Sequence, residues 1–228
     1  MPSRSLIHIL ITLTLLAPLA GSGQTKFDFN AGCREAYHQI MMMKTGEGRR
    51  LIDAEKKAHP DNLIPYFLDN YIDLFTLFFH EDPAEYKAAL PDRDKRLALM
   101  KQGSRSSPYY LFTQAMISAQ WGLIKLKYEE NLSSMWDFRR AYSMIRDNRR
   151  KFPGFSPNKI LLGSMQSVIG TIPSSYRWIT SILGFTGGSV NGGLAMLGSY
   201  VRDTTAEGRI FHEEALFYYA YLKFYIAH

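Results

Sequence analysis

From Leu63 to Phe79 the apolar positions Tyr66, Phe67, Tyr71, Leu74, Phe75 and Phe78 recur three and four residues apart, leaving Asp69, Asn70, Asp73 and Thr76 on the remaining edge. This is helical periodicity with most of the circumference apolar. Pro108 to Lys127 carries two stripes, Phe112, Met116, Ala119, Leu123 and Leu126 on one and Tyr110, Ile117, Trp121 and Ile124 on another. Two stripes predict burial on two sides, as for an inner helix of a stack. Leu132 to Lys151 has one, made of Met135, Phe138, Tyr142 and Ile145, with Arg139, Arg146 and Arg150 elsewhere, as for an outer helix. Asp92 to Lys101 reads as a further outer helix after a loop or short helix at His80 to Pro91. No short alternating run flanks an Asn-Gly or Asp-Gly turn, so no strand is predicted.

The same pattern repeats along the chain. Asn30 to Pro60 reads as two helices with Asn30 as N-cap, a break at Thr45-Gly46-Glu47-Gly48 and a stop at His59-Pro60. Phe29 to Asn62 spans 34 residues, the length of one tetratricopeptide repeat, a helix pair that must stack on neighbours to cover its apolar face. Ala141 stands twelve residues before Pro153, which is the spacing of that repeat's second-helix small residue and terminal proline. The basic endings before Pro60 and Pro153 also align. The expected fold is therefore all-α: a tetratricopeptide-like α-α superhelix of stacked antiparallel helix pairs.

Ile160 to Val201 departs from the pattern, since its 42 residues contain one charge, Arg177, and are interrupted by Pro173, Gly184, Gly187-Gly188 and Gly192-Gly193. The pieces are shorter than the roughly 20 residues that cross a bilayer, so a low-charge helical insertion at about 160–201 is expected. Its run Gly170-Thr171-Ile172-Pro173-Ser174-Ser175-Tyr176-Arg177-Trp178, followed by Leu183-Gly184-Phe185-Thr186-Gly187-Gly188 and Gly193-Leu194, combines an Ile-Pro step, a helix, a Gly-Phe-x-Gly turn and a Gly-Leu pair. That order resembles the insertion of the tetratricopeptide-repeat family that includes the fungal inclusion-body clearance proteins and their animal relatives. The resemblance covers about Leu161 to Leu197. It implies a helical-repeat fold, while the export signal described next sets this chain apart from those intracellular relatives and suggests an exported bacterial branch.

Residues 1–23 have the form of a signal peptide: Arg4, an apolar run from Leu6 to Leu16, Pro18, and the small residues Gly21, Ser22 and Gly23. Removal of that segment leaves 26 Lys and Arg against 21 Asp and Glu, net +5, on a helical domain at 24–228. The predicted location is exported, periplasmic or outer-membrane-associated, which argues against nucleic acid as a partner. Cys33 is the single cysteine, so no intrachain disulfide forms.

Nucleotide-loop and paired-histidine metal motifs are lacking, and no cofactor or catalysis is predicted. Asp69 and Asp73, at i and i+4, share a helix face with Asn70 beside them, and inner helices of such arrays line the concave surface. With Gln114 and Gln120 they are the candidate binding residues. The expected function is a scaffold for a protein or peptide partner. A membrane-surface or apolar-ligand role for 160–201 is the alternative, and a hydrolase on a helical array the third. Thr205 to Ile226 has apolar residues around nearly its whole circumference, with Glu213, Glu214 and Lys223 as its polar outer positions. It reads as an inner helix without an outer partner, predicting either a unit truncated at its C-terminal end or a homo-oligomer through this helix.

Overall fold

Asn30 has extended backbone and accepts the Cys33 amide at 2.9 Å, which starts α1 (Ala31–Met41). The computed structural model describes residues 25–182, 184–185 and 187–226. The signal peptide expected at 1–23 and the turn residues Leu183 and Thr186 lie outside the described residues. Met43, in the left-handed region at φ 61°, turns the chain into α2 (Thr45–Ala58), and α3 (Ile64–His80) follows. The helix break thus falls at 42–44 rather than at Thr45–Gly48. Gly48 lies inside α2, where any Cβ would overlap the side chain of Ile40 on α1. Close approach of α1 and α2 is what that glycine permits.

Asn62 joins the ends of this first unit. Its side chain accepts the Asp28 amide at 3.0 Å and the Ile64 amide at 3.1 Å and donates to the Asp28 carbonyl at 2.8 Å. A parallel bridge between Lys26 and Asn62 adds Leu63 N–H to the Lys26 carbonyl at 2.8 Å. The buried α1 therefore begins beside the first turn of α3.

Next come α4 (Pro83–Met100), α5 (Tyr109–Lys127) and α6 (Asn131–Lys151). The loop or short helix expected over His80–Pro91 is the first half of α4, which continues through Pro91 rather than ending there. Asp82 caps it by accepting the Ala84 amide at 2.7 Å, Pro83 suits the first helical turn, and Tyr86 stacks on Tyr128 with centroids 4.3 Å apart. A proline ring removes one backbone hydrogen bond, and these anchors on its N-terminal side hold the helix together across it. Asn148 closes the α5–α6 unit as Asn62 closes the first, donating to the Pro108 carbonyl at 2.8 Å and to Asn158 Oδ1 at 2.7 Å.

Among the described residues the fold is all-α. Each of α1 to α5 packs on the next helix, and α1 and α3 also pack on the next but one, so α1, α3 and α5 form one layer with α2, α4 and α6 outside it. Phe67, Tyr71, Phe112 and Trp121 of the inner layer are fully buried. The α5 stripe is covered at Phe112, Met116 and Ala119 and opens to solvent at Leu123 and Leu126.

The low-charge segment forms α7 (Asn158–Gly170), a 3₁₀ turn at Ser174–Tyr176, α8 (Arg177–Ile182) and α9 (Val190–Val201). No helix of the described residues is long and apolar enough to cross a membrane. α7 and α9 lie against each other through Gly163 and Gly193: a Cβ on Gly163 would stand 2.9 Å from the Gly193 carbonyl oxygen, and one on Gly193 would overlap the Gly163 carbonyl and Ser167 Oγ. The chain then runs through α10 (Ala206–Ile210) and α11 (His212–Ile226), so the helix expected over Thr205–Ile226 is divided at Phe211.

Alanine normally stabilises a helix by ~1 kcal/mol over glycine. At Gly193 the backbone overlap should reverse the sign, and Gly193→Ala is expected to destabilise by about 1–3 kcal/mol in urea unfolding. Gly154→Ala, at a site open to solvent, serves as the comparison. Equal stability of the two variants would show that α7 and α9 are not in backbone contact.

Candidate functional site

The five polar residues singled out on α3 and α5 are all inside the protein or at its layer boundary. Asp69 is buried and pairs with Arg49 at 2.7 Å and with Lys56, both on α2. Asp73 pairs with Arg96 of α4 at 2.5 Å, and Arg49 reaches it at 4.0 Å. The i, i+4 carboxylates do share one face, and that face looks toward the outer layer. Burial pushes the Asp73 carboxyl above its ordinary range against the pull of Arg96 and Arg49.

Asn70 donates to Gln120 Oε1 at 2.6 Å and accepts the Trp121 indole N–H at 2.8 Å, which ties α3 to α5. Gln114 donates to its own helix, at the Tyr110 carbonyl, 2.6 Å away. Asp69 and Asp73 thus make the polar edge of α3 a seam to the outer layer, and Asn70 joins it to α5 within the inner layer. The physical cause is the near-complete apolar circumference of the helix: any polar group on it meets a neighbouring helix, and only partnered groups are tolerated there.

A further carboxylate of this kind, not evident in the sequence, is Asp137 of α6. It is buried and meets Arg93 of α4, Lys125 of α5 at 2.8 Å, and Arg140 at 3.7 Å.

The other side of the inner layer is where α10 and α11 sit. Phe211 is fully buried, with its ring 5.3 Å from Phe29, 5.2 Å from Tyr37 and 5.3 Å from Phe112. One turn on, Glu214 accepts hydrogen bonds from Tyr37 at 2.8 Å and Tyr71 at 2.9 Å on one oxygen and from Tyr218 at 2.9 Å on the other. Glu213 meets His38 Nδ1 at 2.9 Å. Glu214 is thus an interior residue, not part of a polar outer face. Its sequence signal is a carboxylate one turn before Tyr218 in a helix rich in aromatic residues.

Desolvation raises the Glu214 carboxyl above its usual range, with the three tyrosine donors opposing it. Burial first, then the facing Glu214, drives the hydroxyls of Tyr37, Tyr71 and Tyr218 well above theirs. The cluster is a tie between helices, and two grooves lie away from it, one around Arg105 and Phe152 and one between α6, α7 and α9. Cys33 is also enclosed. Burial, together with Glu55 and Asp28, pushes its thiol up to about 12, far from the range of a nucleophilic thiolate. Among the described residues no three His, Cys, Asp or Glu side chains gather as a metal site.

Besides the exposed Glu213 and Lys223, α11 leaves a run of apolar side chains outside. Phe217, Tyr221, Phe224 and Tyr225 are 61, 50, 66 and 64% exposed, and Leu216 adds to them. Phe217 stacks on Tyr221 and Tyr221 lies over Tyr225 with centroids 4.5 Å apart, so the rings form one continuous ridge. No protein-family model matches the chain, and comparison with curated proteins and with solved structures found no match.

Because Glu214 titrates higher folded than unfolded, its contribution to stability is complete below the unfolded carboxylate range. It is lost as pH rises through the folded value. Thermal unfolding of the protein and of Glu214→Gln from about pH 4 to pH 9 isolates this group. The stability difference, wild type minus variant, should fall as pH rises. A pH-independent difference would show that the carboxyl is not desolvated at the junction.

Proposed function

We propose that this chain is an exported scaffold of tetratricopeptide-like helix pairs that binds another polypeptide chain, with no cofactor and no catalysis. The stacking of each inner helix on the next helix and the next inner one supports a tetratricopeptide-like superhelix, as do the 34-residue first unit and the motif resemblance of 161–197. The inner face that such arrays offer to ligands is here filled by Phe211 and Glu214 of the chain itself. Its outward substitute is the α11 ridge, and that ridge is the observation that carries the reading. Asp69, Asn70, Asp73 and Gln120 serve it from inside, by fixing the layer on which α11 rests, whereas Gln114 bonds within α5.

The ridge is rigidly mounted and uncovered. A large aromatic side chain carries about 150–250 Å², so the four rings at their observed exposures offer on the order of 500 Å². That matches the largest patches of ordinary monomers, which are often functional, and falls short of the roughly 800 Å² per partner of a stable interface. Contact through the ridge alone is accordingly weak and concentration-dependent. A second copy meets the condition well, since the ridge carries no charge to repel its own image: Lys223 lies over Tyr219, to the side.

The membrane-surface alternative draws on exposed Val168 and Trp178 in the low-charge segment. Its distinguishing result is co-sedimentation of the protein with liposomes that persists when the ridge is removed.

Peptide-library selection against the protein, with Phe217→Ser/Tyr221→Ser as the counter-target, tests the main reading. Selected peptides should bind the double variant at least about tenfold more weakly, as expected when central aromatic anchors are lost. Stability should stay within about 0.5 kcal/mol, because both rings are already in solvent. Sedimentation velocity over a concentration series should likewise show self-association that the same variant abolishes. Binders indifferent to the ridge would remove it as the interface.

A further inference from the structure

The last turns of α6 place Tyr142, Arg146, Arg149 and Arg150 on one side of the helix, at spacings of three and four residues. They form one wall of a groove of about 490 Å³, whose other wall includes Leu162 of α7 and Met196 of α9. Tyr142 and Leu162 are buried and make an apolar floor. The rim is cationic. Arg149 reaches the Met196 thioether at 3.0 Å and has no carboxylate partner among the described residues. Arg150 pairs with Asp147, and Arg146 lies over the Tyr142 ring at 5.4 Å. The segment across the groove, residues 158–201, contains no Asp or Glu.

Guanidinium groups present a planar fork that matches a carboxylate or a phosphate in two parallel hydrogen bonds. Uncharged walls of low polarity concentrate the field of those groups in the recess. The volume falls within the ~300–1,000 Å³ of ligand sites, enough for a few residues of an extended chain. A recess between two helices admits a strand of atoms more readily than a flat lipid surface. Its apolar floor also distinguishes it from a site for a bare inorganic anion.

We propose that this groove binds an acidic peptide segment, with a Glu or Asp carboxylate held by Arg149 and Arg150 and an adjacent apolar side chain on Tyr142, Leu162 and Met196. The inference rests on the polypeptide-binding reading and adds a second surface to it, distinct from the α11 ridge. It gives the partner a chemistry: carboxylates alternating with aliphatic side chains. Association is then weakened by salt, whereas contact through the ridge is not.

The test is an NMR titration of the protein, following the arginine Nε–Hε signals and the methionine methyls, with the peptide acetyl-Leu-Glu-Leu-Glu-amide. Shifts should concentrate at Arg149, Arg150 and Met196. The peptide with Gln in place of Glu should bind at least about tenfold more weakly, and Arg149→Gln should weaken the Glu peptide by a similar factor. Unchanged backbone signals away from the groove would show that this variant is folded. Arg139→Gln, on α6 but outside the groove lining, should bind as the wild type does.

Equal response to the Gln peptide, or an absence of shifts in the groove, would overturn the proposal. Inorganic phosphate or phosphatidylglycerol vesicles giving the same shifts at the same anion concentration would overturn it in favour of a general oxyanion site or a lipid surface. Phe217→Ser/Tyr221→Ser separates the two surfaces. Groove shifts that persist in this variant, while ridge-selected peptides fail to bind it, uphold both readings. Shifts lost along with the ridge would refute an independent groove.

Discussion

Three tyrosine hydroxyls and one carboxylate, all withdrawn from water, join the first, third and last helices of this protein. Tyr37, Tyr71 and Tyr218 each give Glu214 a hydrogen bond, and residues 143 and 177 positions apart in the chain are brought together by it. A carboxylate in an apolar interior is costly unless its oxygens are satisfied, and loss of any donor leaves a dry charged group. The cluster therefore works as a condition on the whole assembly. α11 can lie on the inner layer only where α1 and α3 are already side by side, and Phe211 enters its ring of aromatic neighbours only when α11 is there. Closure of the stack and placement of its last helix are one event.

That arrangement has a directional consequence for the molecule's surfaces. The inner layer spends its aromatic face on the chain's own C-terminal helix, and the helix in turn shows solvent the aromatic residues that the layer does not take. The outer layer does the reverse, turning arginines and lysines inward to Asp69 and Asp73, sideways from α4 to Asp137, and outward along α6. Apolar and cationic recognition are thus separated onto different parts of one rigid body.

The architecture was legible where a local rule decides it. Helical periodicity placed α3, α5 and α6 within a residue or two, because their apolar spacing leaves no competing structure. Where packing overrules a local signal the sequence misleads: Pro91 suggests an end, yet Tyr86 and the Asp82 cap carry α4 through it, and Gly48 suggests a turn although it is a point of close contact with Ile40. The candidate residues show the same division. That Asp69 and Asp73 share a face follows from a count of four. Which neighbour that face meets depends on how α2 and α4 dock, and no spacing on α3 contains that information. Glu214 was hidden for a related reason, since beside Glu213 on an otherwise apolar helix it reads as part of the polar outer face.

Asp137 is contacted by cations from α4, from its partner helix α5 and from the next turn of α6 itself. Helical stacks built on aliphatic and aromatic contacts tolerate sliding, because one methyl resembles another. A slip of one residue turns a helix by about 100°, and at Asp137 that single error would separate the carboxylate from α4 and α5 together. The position acts as a checksum on the alignment of three helices: many ways of burying the same apolar surface exist, and only one of them returns the correct charge at that point.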